Sequence, residues 1–211
     1  MKKVFLFVGV LLFGTLCVSC SKDEESGSLA SNAVVGSTIS SVSSSAGVSE
    51  IEGIVTSVTD GVSSYALTAT VTNQDVIDIL EGMPGVAVSG STVSMASLRM
   101  KVTTKGIEAV SGFEPGVIVK YSDGVGKRYP INGTDRYREV VSKSTENDFM
   151  WYGFMQIKVM EVVESESAIE GIKTITYWCN HSFGLVGIKV TFDDDTWGRW
   201  LLNGMAPAEG D

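Results

Sequence analysis

Residues 62–72 alternate: Tyr65, Leu67, Ala69 and Val71 fall on one parity, and Ser64, Ala66, Thr68 and Thr70 on the other. A period of two puts each set on one face of an extended chain, so this segment predicts a strand with one buried face. Residues 86–88, 93–102 and 117–121 are further β-rich runs, and 174–179, 185–192 and 197–202 complete the series. Ser122-Asp123-Gly124-Val125-Gly126 predicts a hairpin loop, because Asp-Gly and Gly adopt positive φ at little cost. Asp193-Asp194-Asp195 predicts another hairpin turn. The longest candidate strand is residues 149–164. Phe149, Trp151, Met155, Ile157, Val159 and Val163 share one face of it; on the other, Met150, Tyr152 and Phe154 give way to Gln156 and Lys158. One face is then buried throughout and the other covered at one end only.

A single stretch carries helical spacing. Thr72-Asn73-Gln74-Asp75 supplies an N-terminal cap, Val76, Ile77 and Leu80 form a stripe, and Gly82 with Pro84 ends it. The fold expected is therefore α+β and β-rich: an antiparallel sheet, a sandwich or a partly closed barrel, with one short helix at about 73–81. With 211 residues, 44% of them hydrophobic and 19% charged, the chain can bury a core and is not disordered. One domain over residues 34–205 is expected, with a C-terminal tail at 206–211.

The first residues follow a different logic. Lys2 and Lys3 precede an apolar run over 4–16, shorter than the ~20 residues a spanning helix needs, so the segment reads as a secretory signal. It ends in Leu16-Cys17-Val18-Ser19-Cys20, which resembles a bacterial lipobox with Cys20 as the acylated residue. Ser21-Lys22-Asp23-Glu24-Glu25 resembles the acidic export signal of Bacteroidota-type surface lipoproteins. The resemblance implies a signal peptide at 1–19, a lipid anchor in the outer membrane and display at the cell surface. It covers about 25 residues and none of the globular part. Residues 21–50 include 11 Ser and 3 Gly, so 20–33 is expected to be a flexible tether. Removing 1–19 would take away two lysines and no acids, turning the net charge of −9 into −11. With Cys20 acylated and Cys17 removed, Cys179 would have no intrachain disulfide partner.

The acidic balance excludes nucleic acid as a partner, since a phosphate-binding surface needs clustered Lys and Arg. A single His nearly excludes a polyhistidine metal site, and no metal or cofactor is expected. Cys179 and His181 share a strand face but lie about 6–7 Å apart along it, with no nucleophile motif around them, so both are read as structural. The three consecutive acids at 193–195 lack the spaced ligands of a calcium loop. Glu161, Glu164, Glu166 and Glu170 are read as surface charges rather than as a glycosidase pair. No catalytic residue is assigned. Tyr177, Trp178, Trp197 and Trp200 are the candidate binding residues, because aromatic faces stack on sugars and anchor interfaces. Trp197 and Trp200, three apart, point to opposite faces of a strand, so one of them belongs to the core. The function expected is non-enzymatic: ligand capture, adhesion or envelope assembly, with a glycan, lipid or protein as ligand. The alternative is a β-domain that binds lipid or another small hydrophobe in an enclosed apolar cavity, and a third reading is a small surface hydrolase.

Overall fold

The computed structural model describes residues 27–208 except 42, 113, 152 and 153; the leader, Cys20 and the segment Ser21 to Glu25 lie outside the described residues. The first half contains β1 (Thr38–Ser41), β2 (Val48–Thr59), β3 (Val62–Val71), α1 (Gln74–Glu81), β4 (Val86–Ser89), β5 (Thr92–Thr103), β6 (Gly106–Ser111) and β7 (Gly116–Lys120). The second contains β8 (Arg128–Pro130), β9 (Tyr137–Lys143), β10 (Phe149–Trp151), β11 (Met155–Ile157), β12 (Met160–Ser165), β13 (Ile172–Asn180), β14 (Gly184–Phe192), β15 (Trp197–Leu201) and β16 (Asn203–Met205). The fold is β-rich α+β, with one short α-helix and a curled, half-barrel antiparallel sheet.

The first sheet runs β16-β1-β2-β3-β5-β6-β7, with β4 paired to the start of β5; the second runs β15-β14-β13-β12-β9-β8, and β10 and β11 pair with each other. The chain crosses from edge strand β7 to edge strand β8, and again from edge strand β15 to edge strand β16. The inner faces share one core. Tyr65, Leu98, Ile107 and Ile118 enter it from the first sheet, and Val140, Val162, Tyr177 and Cys179 from the second. Helix α1 forms where its stripe predicts. Asn73 caps it by accepting the Asp75 amide at 3.0 Å, and Val76 and Ile77 are buried against β3 and β4 residues.

Several expectations change. Residues 149–164 are not one strand: β10 and β11 form a hairpin, and the chain leaves strand geometry at Lys158 and Val159 before β12. Parity flips there, so Met160, Val162 and Glu164 face inward and Val163 is only half-buried. The loop at 122–126 joins two sheets rather than two strands of one sheet. It is held by the Tyr129 hydroxyl, which donates to Asp123 Oδ2 at 3.0 Å and accepts the Lys120 amide at 3.1 Å. Residues 28–33, expected in the tether, already pack on the domain: Leu29 bridges Thr103, the Ala30 amide donates to the Val102 carbonyl, and Ala33 is buried.

Candidate functional site

The two inner faces do not meet everywhere. Between them lies a cavity of about 280 Å³. It follows β5 from Val93 to Val102 and β13 from Ile172 to Tyr177, so it is a slot rather than a chamber. Ile79 and Leu80 of α1, with Met83, line it at one end; Phe183 and Gly184, at the β13–β14 turn, line it at the other. The alternating side chains of β3 supply part of the wall, including Tyr65, Leu67 and Ala69. No lining residue is charged. A volume near the lower end of ligand cavities, roughly 300 Å³, suits a single chain rather than a bulky ring system. Apolar walls of this kind hold hydrocarbon in preference to water, and the flexible thioethers of Met83, Met95 and Met100 can follow its shape.

Thr68, Ser94 and Tyr177 also bring hydroxyls to this lining, and Tyr65 and Asn32 qualify it further. Burial pushes the Tyr65 hydroxyl pKa up to about 12, against a lowering hydrogen bond with Ser63, so it stays neutral. Asn32 donates from Nδ2 to the Phe183 carbonyl at 2.9 Å, while its buried Oδ1 has no partner among the described residues. That oxygen is an acceptor available to a hydroxyl or amide on an occupant.

Behind Tyr177 lies a polar cluster that sequence patterning missed. Glu164, expected on the surface, is fully buried and accepts Arg138 Nε at 2.7 Å and the Tyr177 hydroxyl at 3.2 Å. Arg138 also donates to the Glu114 carbonyl at 2.7 Å. Glu114 in turn takes a fork of hydrogen bonds from Arg136 and the Ala168 amide. Burial and the neighbouring Glu114 carboxyl raise the Glu164 pKa against the pull of Arg138. Burial opposes ionisation of Glu114 too, but Arg136 and Ala168 hold its pKa below the usual carboxyl range. Among the described residues Glu164 Oε1 has no hydrogen-bond partner, so one of its two oxygens is buried unpaired.

The four aromatic candidates divide between two faces of the second sheet. Tyr177, Ile188 and Trp200 pair in register across β13, β14 and β15, and all three line the cavity. Trp178 and Trp197 point outward. The Arg199 guanidinium lies 4.9 Å from the Trp178 ring and 5.4 Å from Phe149, and Lys189 Nζ lies 5.2 Å from Trp197, which is 56% exposed. The four therefore make no single site.

Of the remaining candidates, Cys179 and His181 line one pocket at the end of β13. Cys179 is buried and burial pushes its thiol pKa up, while His181 is exposed at the strand end. Asp193, Asp194 and Asp195 form the exposed β14–β15 turn, and Glu166 and Glu170 are exposed. Among the described residues no three His, Cys, Asp or Glu side chains gather as a metal site would. Comparison of the chain with protein-family models, curated proteins and solved structures gives no match.

Proposed function

We propose that this protein is a lipid-anchored, non-enzymatic surface protein that holds one hydrophobic chain, such as a fatty acyl chain, between its two sheets. The observation that carries this reading is the uncharged slot between β3–β5 and β13–β14. It moves the alternative named from the sequence, a lipid- or small-hydrophobe-binding domain, ahead of adhesion. Each methylene taken from water gains about 0.8 kcal/mol, so ten gain roughly 8 kcal/mol. Association costs are of the same order, ~4–15 kcal/mol, so short chains would not be retained and long ones would bind with moderate affinity.

Purified Cys20→Ser protein, which cannot carry its own acyl chain, should bind a naphthylamine probe saturably, with fluorescence enhancement reversed by palmitate. Ala69→Phe, which fills the slot from β3, should abolish that binding. Organic extraction of the purified protein should yield a lipid identifiable by mass spectrometry. Absence of both saturable probe binding and extractable lipid would sink the reading. Trp197, exposed beside Lys189, favours a second reading, capture of a flat or sugar ligand on the outer face. A ligand lost with Trp197→Ala but kept with Ala69→Phe would select it.

A further inference from the structure

At the end of the domain opposite α1, six strand termini converge: the two joined by the β5–β6 turn, the ends of β7, β9 and β13, and the start of β12. They enclose a second pocket of about 380 Å³ with a different chemistry. Lys105, Lys143 and Lys158 line it together with His181, the one histidine of the chain, and no carboxylate lines it. Among the described residues none of the three lysines has a carboxylate within ion-pair distance. Lys143 is positioned by the Tyr121 and Asp123 carbonyls, which accept from its Nζ at 3.0 and 2.8 Å. Two bonds leave one of its three N–H groups free. Tyr121, whose ring meets His181 edge-on at 6.5 Å between centroids, carries a buried hydroxyl with no partner among the described residues. The carboxylates bonded at this end, Asp123 and Asp148, are engaged by Tyr129 and Ser144 and do not line the pocket.

Lys105, Lys143, Lys158 and His181 are exposed, and in a chain of net charge −9 three cations lining one pocket without a carboxylate make a local positive site, the electrostatic complement of an anion. We propose that this pocket binds a phosphate-type oxyanion, with Lys105, Lys143 and Lys158 supplying charge and Tyr121 and Ser122 supplying hydroxyl donors. The same chain segments serve both cavities. On β5 and beyond, Met100 and Val102 line the apolar slot and Thr104 and Lys105 the cationic pocket; around the β13–β14 turn, Phe183 and Gly184 line the slot and Asn180 and His181 the pocket. The arrangement suits an amphiphile with an anionic head. That pairing rests on the proposed function, whereas the anion site itself does not. Gly27 packs against the Lys105 side chain, so the chain enters the domain at this pocket. Six residues lie between Cys20 and Gly27, a span of at most ~25 Å when extended, which would keep this end near the bilayer that an acylated Cys20 enters.

The test uses the His181 ring resonances in tag-free Cys20→Ser protein, which need no assignment because the histidine is unique. At constant ionic strength the protein is titrated with inorganic phosphate, dodecyl phosphate and, as the neutral control, dodecyl maltoside. Dodecyl phosphate should shift the His181 signals saturably, and Lys105→Ala combined with Lys158→Ala should weaken it at least tenfold at an unchanged unfolding midpoint. Binding of dodecyl phosphate at least tenfold tighter than phosphate identifies a lipid headgroup as occupant; comparable binding identifies a free anion. The proposal is overturned if neither anion moves His181, if the maltoside moves it equally, or if the double variant binds like the parent. Phosphate binding without naphthylamine binding would keep this site and remove the slot reading.

Discussion

Trp200 Nε1 donates to the Val48 carbonyl at 3.2 Å, tying β15 of the second sheet to β2 of the first across 152 residues of chain. The carbonyl also accepts the Ser45 amide at 3.0 Å, so it keeps one partner if the indole is lost. Trp200→Phe should therefore cost only about 0.5–1.5 kcal/mol, whereas Trp200→Ala should cost ~3–5 kcal/mol by enlarging the cavity. Gly198→Ala should cost ~1–3 kcal/mol, because its new Cβ would collide with the Trp200 ring. Trp197→Ala should stay within ~0.5 kcal/mol. Urea midpoints with unchanged m-values check this order; equal costs at the two tryptophans would contradict the inward and outward assignment.

The Arg138–Glu164 pair makes stability depend on pH. Glu164 has a raised folded pKa, so its contribution is complete below the ordinary carboxyl value of ~4.3 and is lost as pH rises through the raised value. Glu114 has a lowered folded pKa, so its contribution is complete above the ordinary value and lost as pH falls. Glu164→Gln should flatten the decline on the alkaline side, and Glu114→Gln the decline on the acid side, in unfolding temperatures measured from pH 3 to 8. Arg138→Met should cost about 3–5 kcal/mol, since it strands a buried partner and two backbone acceptors.

Cys179 should react slowly with alkylating reagents in the folded protein. Its thiol is fully buried and its pKa lies above the usual range. Mass spectrometry of the Cys179 peptide after timed alkylation, with and without denaturant, reads this directly. Fast labelling of folded protein near pH 6 would point instead to an activated sulfur.

Cys20→Ser should release the protein from membranes and abolish labelling by fatty acid. Replacing Lys22, Asp23, Glu24 and Glu25 with Ala should leave acylation intact and remove the protein from the reach of protease added to whole cells. Persistent membrane attachment of Cys20→Ser would refute the anchor, and unchanged protease accessibility the export signal.

Much of the fold was legible because local pattern and tertiary burial agree. In β3, Tyr65, Leu67, Ala69 and Val71 alternate in the sequence and line the cavity in the structure, and α1 forms between Asn73 and Gly82 because cap, stripe and breaker coincide. Strand β2 was not legible: bulges after Ser49 and Val55 shift its parity twice, so Val48, then Ile51 and Val55, then Val58 turn inward, and no single period of two runs through it. Strand β9 was hidden because its inward residues are Arg138 and Val140, and a buried arginine reads as a surface residue until its partner is known. Neither candidate site could be found in the chain. The slot needs two sheets held apart by the shapes of side chains far apart in sequence, and the lysines at 105, 143 and 158 become one electrostatic feature only when six strand ends converge. Hydrophobic period is a property of neighbours along the chain, and the sequence by itself determined the regularly alternating strands such as β3, the helix and the aromatic parity at Trp197 and Trp200. Empty volume and clustered charge are properties of neighbours in space, and only the tertiary structure decided them.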